Sequence, residues 1–259
     1  LTAAHRVLPV LRPDWPAPPG VRAAMSTRAG GVSRAPWDSL NLSVSVGDEA
    51  AAVAENRARW VASLGHAPAW LHLVHGRAVL RLQAGGPEHP TTRADAAWTT
   101  DPGVVCQVTA ADCLPVLFAL RDGSAVGAAH AGWRGLAAGV LEATVAAICE
   151  GVGAPPQELQ AWLGPCIGPQ AFEVGAEVLQ AFGCEAAAGS SPRFVSRPRG
   201  DGRARWLADL PALATDRLQA VGVTRITASG LCTVADTSRF FSFRRDGVTG
   251  RFAAAIWRD

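Results

Sequence analysis

Hydrophobic positions in this chain fall into short runs broken by glycine, proline and charge, and the runs are densest between residues 104 and 163. Residues 104–108, 116–120 and 125–129 are apolar runs bounded by polar or turn residues, the pattern of strands buried on both faces of a sheet. Residues 160–163 read as another strand, ending in the turn Gly164-Pro165-Cys166-Ile167-Gly168-Pro169. Helical spacing runs through 53–64, where Val53, Ala54, Trp60, Val61 and Leu64 share one side. It recurs in 135–149, with Leu136, Val140, Thr144 and Ala147 in one stripe. Further helices are expected at 175–182 and 207–221, and further strands at 70–74, 78–82, 225–228, 240–243 and 252–257. Residues 21–46 and 85–92 are rich in turn formers, and the polar stretch 187–203 reads as a mobile loop. Strands and helices interleave without a repeat or a linker-like break. That predicts one α/β (α+β) domain over 1–259, a compact layered fold with mixed β-sheets flanked by helices.

Composition changes this picture mainly by exclusion. A chain of 259 residues, 49% of them hydrophobic, can bury a large core. Its 24 basic and 22 acidic residues leave a net charge of +2. No Lys/Arg run stands out, so bulk electrostatic binding of nucleic acid is not expected. No apolar stretch approaches the roughly 18 residues of a membrane span. Residues 1–20 are proline-rich and lack the order of a secretory signal. Six cysteines without a C-x-x-C pair do not make a disulfide scaffold, so reduced thiols and a cytoplasmic location are expected. A monomer or weak homo-oligomer is the expected state.

Candidate chemistry lies in three segments that each end an apolar run on a metal-competent side chain: His75 before Gly76, Cys113 after Asp112, and His130 before Ala131-Gly132-Trp133-Arg134-Gly135. Two imidazoles and a thiolate suit zinc and leave a fourth tetrahedral position open, as catalytic sites do. Alternatively, His130 is a hydrogen-bonded core histidine, and Cys113 is a nucleophile served by a histidine base. Asp112 reads as an acceptor that orients an imidazole, as a proton carrier, or as a turn former. Cys106 and Cys149 read as core. Arg134 at a helix start, Arg28 beside Gly30-Gly31, and the arginines set among aromatics in 240–246 and in Gly250-Arg251-Phe252, Arg244 foremost, are candidate anion contacts.

These segments resemble the family named variously for a laccase domain, polyphenol oxidase, purine nucleoside phosphorylase and peptidoglycan editing. The likeness covers nearly the whole chain. It includes Ser26-Thr27-Arg28-Ala29-Gly30-Gly31-Val32-Ser33, Ser39-Leu40-Asn41-Leu42, Glu55-Asn56-Arg57, Val74-His75-Gly76, the stretch from Thr109 to Val116, His130 to Gly135, Gly164-Pro165, Phe241 to Arg245, and Thr249-Gly250-Arg251. The resemblance implies zinc at His75, Cys113 and His130, with these residues and Asp112 as the catalytic group. It also implies phosphorolysis of adenosine, inosine, guanosine and methylthioadenosine, with deamination of adenosine. Arg28, Asn41, Ser45, Arg134 and Arg244 are then the candidate contacts for nucleoside and phosphate. Two positions depart from the family's pattern: Leu73 stands where a glutamine is common, and Ser45 where a histidine is.

The alternative reading is a cysteine- or metal-dependent hydrolase or amidase editing peptidoglycan precursors. A multi-copper laccase is disfavoured, because the chain has 6 His, no His-x-His and one Met. Copper binding at a mixed His/Cys site in vitro remains compatible with the ligand set.

Overall fold

The computed structural model describes residues 8–89, 91–185 and 191–259. Strands β1 (Val10–Leu11) and β2 (Val21–Ser26) pair antiparallel and are followed by helix α1 (Ala50–Leu64). Strand β3 (Val79–Arg81) runs parallel to β4 (Ala96–Thr99). Next come the apolar strands β5 (Cys106–Ala110), β6 (Leu114–Leu120) and β7 (Val126–Ala131). Helices α2 (Trp133–Ala137) and α3 (Val140–Val152) lead to β8 (Leu159–Leu163). The chain continues through β9 (Glu173–Val174), α4 (Ala176–Ala181), β10 (Phe194–Ser196) and β11 (Trp206–Ala208). It closes with α5 (Leu210–Ala220), β12 (Arg225–Ala228), α6 (Phe243–Asp246) and β13 (Phe252–Arg258).

Alternation along the strands explains why two sheets stack. In β6, Val116, Phe118 and Leu120 enter one apolar cluster, while Leu117 and Ala119 enter a second. In β13, Phe252, Ala254 and Ile256 join that second cluster. Ala253, Ala255 and Trp257 join a third, with Trp60 and Leu64 of α1. Successive strand residues point to opposite faces, so each of these strands is covered on both sides. The six-stranded sheet β12-β8-β6-β7-β4-β3 therefore has α3 and α5 on one face and the four-stranded sheet β1-β2-β13-β5 on the other, with α1 beyond it. A three-stranded sheet, β10-β11-β9, adds Phe194, Trp206 and Val174 to the first cluster. Full burial of a Leu or Phe contributes about 1.5–3 kcal/mol, and these clusters are what hold the layers together.

Several elements differ from the sequence reading for local reasons. The single helix expected at 135–149 is two, because Gly139 adopts φ 92° between α2 and α3, a conformation glycine enters without a Cβ clash. The helix expected at 207–221 starts at Leu210. Asp209 caps it by accepting from the Ala212 N–H, and Leu207 belongs to β11. Residues 70–74 form no strand of their own. Residues 240–243 are no strand either: Phe240 and Phe241 are buried, and Ser242 caps α6 through the Arg245 N–H. Strands β2 and β4 are not foreseen, since β2 lies among turn formers and β4 is led by two alanines with weak strand preference. The stretch expected as a loop at 187–203 contains β10, and its positions 187–190 lie outside the described residues. Among the described residues no helix is long and apolar enough to cross a membrane.

Candidate metal centre and cavity

Strand register brings two of the three donors together. Leu114 of β6 lies opposite Ala131 of β7, and Pro115 opposite His130, so Cys113 at the start of β6 comes beside Gly132 at the end of β7. The approach is close. A Cβ on Gly132 would lie 2.8 Å from Cys113 Sγ and 3.2 Å from His75 Cδ2, so only glycine leaves room for both. His75 arrives from the loop before β3, with its Nε2 3.9 Å from Cys113 Sγ. The His75 and His130 rings meet edge to face, centroids 4.8 Å apart.

One carboxylate organises this corner. Asp95, fully buried just ahead of β4, accepts backbone hydrogen bonds from Val74 (3.1 Å), His75 (2.8 Å) and Gly76 (2.8 Å). Three successive N–H groups on one acid hold His75 at φ 58°, a conformation side chains other than glycine rarely enter. Asp95 Oδ1 also lies 2.9 Å from His130 Nδ1, which fixes the ring and leaves Nε2 turned toward the cluster. Burial alone would raise the Asp95 pKa. The His130 contact and the backbone donors outweigh it, and the pKa is lowered.

The donor chemistry fits a metal ion. A tetrahedral zinc with bonds of about 2.0 Å to nitrogen and 2.3 Å to sulfur holds its donors roughly 3.5 Å apart. The ligating atoms of His75, Cys113 and His130 all lie within 4.8 Å of one another, so small side-chain movements close the set. Burial opposes ionisation of Cys113, yet His130 and His75 bring its pKa from 9.0 down to about 6. Burial likewise disfavours the His130 cation, and Cys113 and Asp95 lift its pKa from 6.5 to about 9. The cluster thus favours a thiolate with a proton held on nitrogen, and a divalent cation replaces that proton. Cys106, by contrast, is fully buried without a charged partner, and burial pushes its thiol up, as a core cysteine requires.

Asp112 adjoins Cys113, but its carboxylate is turned elsewhere. One oxygen accepts from the Thr233 hydroxyl at 2.5 Å and the other from the Arg244 N–H at 2.7 Å. These bonds hold Asp112 at φ 93° and tie the start of α6 to the Cys113 loop.

A cavity of about 930 Å³ opens from the donor cluster and runs along β5. It is lined by His75, Cys113 and His130 at one place and by Gln107, Arg57 and Trp70 at another, with Arg251 and Phe243 also in its wall. Four imidazoles and two guanidinium groups line it, and no described lining residue carries a carboxylate. Of the expected contacts, Ser45 lines this cavity. Arg28, Asn41, Arg134 and Arg244 do not. Arg28 is held by Asp38 and the Thr237 carbonyl, and Arg244 by the carbonyls of Ala171 and Glu173. Arg134 is exposed and lies over Trp133. Asn41 is buried, donating to Ser43 and Asp48 and accepting from Ser43 and Arg251, so it shapes the loop that carries Ser45.

The sequence reading passes over Asp95 and Gln107; it meets Arg57 in the segment Glu55-Asn56-Arg57 without giving it a role, and Arg251 only as one of several arginines set among aromatics. Arg57 and Gln107 face the cavity from the middle of regular elements, where only the fold shows which side is open. The one available signal for Asp95 is an acid set immediately before an apolar run.

In sequence and in fold the chain is similar to known proteins. A family model described as multi-copper polyphenol oxidoreductase laccase matches residues 22–259. A Pseudomonas aeruginosa protein named purine nucleoside phosphorylase is 51% identical over 247 residues, covering 95% of this chain and 97% of that one. The Escherichia coli protein named purine nucleoside phosphorylase YfiH is 50% identical over the same length, with the same coverage. Among solved structures, the Neisseria meningitidis protein NMB0706 has a TM-score of 0.85 at 44% identity, covering 96% of this chain and 99% of its own. YlmD from Geobacillus stearothermophilus also has a TM-score of 0.85, at 30% identity, covering 97% and 98%.

Proposed function

This chain belongs to the family described as multi-copper polyphenol oxidoreductase laccase, and within it we propose that the chain is a zinc-dependent purine nucleoside phosphorylase rather than an oxidase. The observation that carries this reading is the cavity: a His75–Cys113–His130 donor set opening into a space with two arginines and no lining carboxylate. Beside those arginines an oxyanion such as phosphate is favoured. The relatives named purine nucleoside phosphorylase support the same substrate pair. Against a multi-copper oxidase, this is the one group of three or more His, Cys, Asp or Glu that could hold a metal among the described residues.

Arg251 is the residue best placed for the anion. Its Nη1 donates to the carbonyls of Thr249 and Gly250, which braces the guanidinium in the wall, and it feels the charges of Cys113 and Asp112. In phosphorolysis a phosphate oxygen bonds to the anomeric carbon as the carbon–nitrogen bond to the purine breaks. The electron pair leaves with the purine, which takes up the proton that phosphate releases. Zinc, when bound, supplies Lewis acidity at an open coordination position. The protein's own work is to bind phosphate at Arg251, to position the nucleoside along β5, and to hold His130 in one orientation through Asp95. Deamination of adenosine fits less well. Zinc deaminases move protons with a glutamate in the pocket, and here Asp95 and Asp112 have both oxygens engaged.

A second reading rests on one contact. Asp95, His130 and Cys113 are arranged like the acid, base and nucleophile of a cysteine hydrolase, which would suit an amidase acting on peptidoglycan precursors. His75 favours the metal reading, because its Nε2 lies 3.9 Å from Cys113 Sγ and adds a second imidazole that a thiol hydrolase does not need. The test is metal-quantified protein incubated with inosine, with and without phosphate, before and after chelation. Phosphate-dependent release of hypoxanthine and ribose 1-phosphate that stops on chelation supports the phosphorylase. Activity that survives complete metal removal would support the thiol hydrolase instead.

A further inference from the structure

Away from the metal ligands the cavity wall carries Gln107 and Arg57, whose free groups are hydrogen-bond donors. Gln107 lies on β5, 1% exposed, and lines the cavity. Its Oε1 accepts from the Trp60 indole N–H at 3.0 Å. An indole can only donate, so this bond fixes which way the amide faces. The amide nitrogen is left buried without a partner. Arg57 is three residues before Trp60 on α1, on the same face of the helix. Its Nε donates to the Leu42 carbonyl, and its guanidinium lies flat on Trp70, 3.7 Å from the ring centroid. Ala69 donates to the Val105 carbonyl, which keeps Trp70 beside the Gln107 end of β5.

The Gln107 amide nitrogen and the Arg57 guanidinium can only donate, and the Gln107 oxygen is turned to Trp60. The serines and histidines of the wall can donate or accept, so they do not discriminate between ligands. Glu88 bears electrostatically on Arg57 but does not line the cavity. We propose that Gln107 and Arg57 form a specificity site that selects 6-oxopurine nucleosides, inosine and guanosine, over adenosine. This rests on the purine nucleoside reading of the same cavity. The Hoogsteen edge of a 6-oxopurine offers two acceptors, O6 and N7, and a guanidinium or amide pairs with both. Adenine replaces O6 with an N6 donor, which would face donors and leave them unmet. A donor pair at O6 and N7 also stabilises the negative charge that reaches the purine as its glycosidic bond breaks, so the preference extends to the transition state.

The test compares inosine with adenosine on the metal-loaded protein in two readouts: equilibrium binding of each nucleoside, and kcat/KM with saturating phosphate. The expected result is a preference for inosine of about tenfold or more in both. Gln107→Glu keeps the acceptor for Trp60 and turns the free end into an acceptor, so it should shrink the inosine-to-adenosine ratio about tenfold or more. Arg57→Lys keeps the charge, loses the paired geometry and should shrink the ratio as well. Equal affinity for the two nucleosides, or an unchanged ratio in folded Gln107→Glu protein, overturns the proposal. Binding with the expected ratio but no turnover of any nucleoside would overturn the phosphorylase reading and leave the specificity site standing. Circular dichroism on each variant separates a lost preference from a lost fold.

Discussion

Asp95 meets His130 twice, its carboxylate 2.9 Å from the ring Nδ1 and its backbone carbonyl 2.7 Å from the His130 N–H. The same carboxylate caps the His75 turn. Two of the three proposed metal donors are therefore positioned by one residue outside that donor set. Asp95→Asn keeps the size but sets an NH2 group against a ring of donors. Metal affinity should fall about 10–100-fold, and the fold should lose roughly 3 kcal/mol or more as a buried charged network is broken. Zinc titration and chemical denaturation of the variant give the two numbers. Wild-type zinc affinity in Asp95→Asn would refute the orienting role.

Gly132 tests the packing at the same corner without strain of its own. Its φ of −65° and ψ of 159° are open to any residue, so Gly132→Ala should leave the backbone intact. The added Cβ meets Cys113 Sγ and the His75 ring instead. Overpacking of this kind costs about 1–3 kcal/mol. The variant is expected to fold, with metal content and phosphorolysis lost together, as elemental analysis beside a thermal melt would show.

How far the sequence reveals this protein depends on whether local pattern or tertiary contact decides the feature. Strands β6 and β7 are covered on both faces, so their side chains are apolar without interruption and the runs are plain. His75, Cys113 and His130 stand out because each ends such a run at a loop. Arginines are not legible in the same way. Arg28, Arg134 and Arg244 stand beside suggestive glycines and aromatics, yet the fold turns two of them to carbonyls and lays the third over Trp133. Arg57 and Arg251 show no more local signal than these three, and they reach the cavity because α1 and the entry to β13 pack around β5. The aromatic stretch from Phe240 to Phe243 misleads for a related reason. Phe240 and Phe241 fill the inter-sheet core from a loop, and burial there needs no strand.

Asp112 separates a proton carrier from a tether. Its oxygens bind the Thr233 hydroxyl and the Arg244 N–H, and its φ of 93° favours short polar side chains. If it acts as a tether, Asp112→Asn retains one acceptor and tolerates the backbone. It should then keep kcat within about threefold and lose roughly 1 kcal/mol of stability. Asp112→Ala should lose more stability, about 2–3 kcal/mol, because the Arg244 N–H and the Thr233 hydroxyl are both stranded. A proton carrier would instead lose a hundredfold or more in kcat as Asn. The pairing of kcat with a denaturation midpoint decides between them.

The last expectation concerns phosphate. Arg251 lines the cavity with its guanidinium braced by two backbone carbonyls, while Arg134 is exposed outside it. Arg251→Met preserves much of the aliphatic packing and removes the charge. A charge-assisted hydrogen bond is worth about 1.5–3 kcal/mol, so the KM for phosphate should rise roughly 10–150-fold. The affinity for nucleoside, measured without phosphate, should move far less. Arg134→Met should leave both constants near wild type, since nothing in the cavity depends on it. Phosphate saturation curves on the two variants settle the assignment, and a reversed order would place the anion at the α2 N-terminus instead.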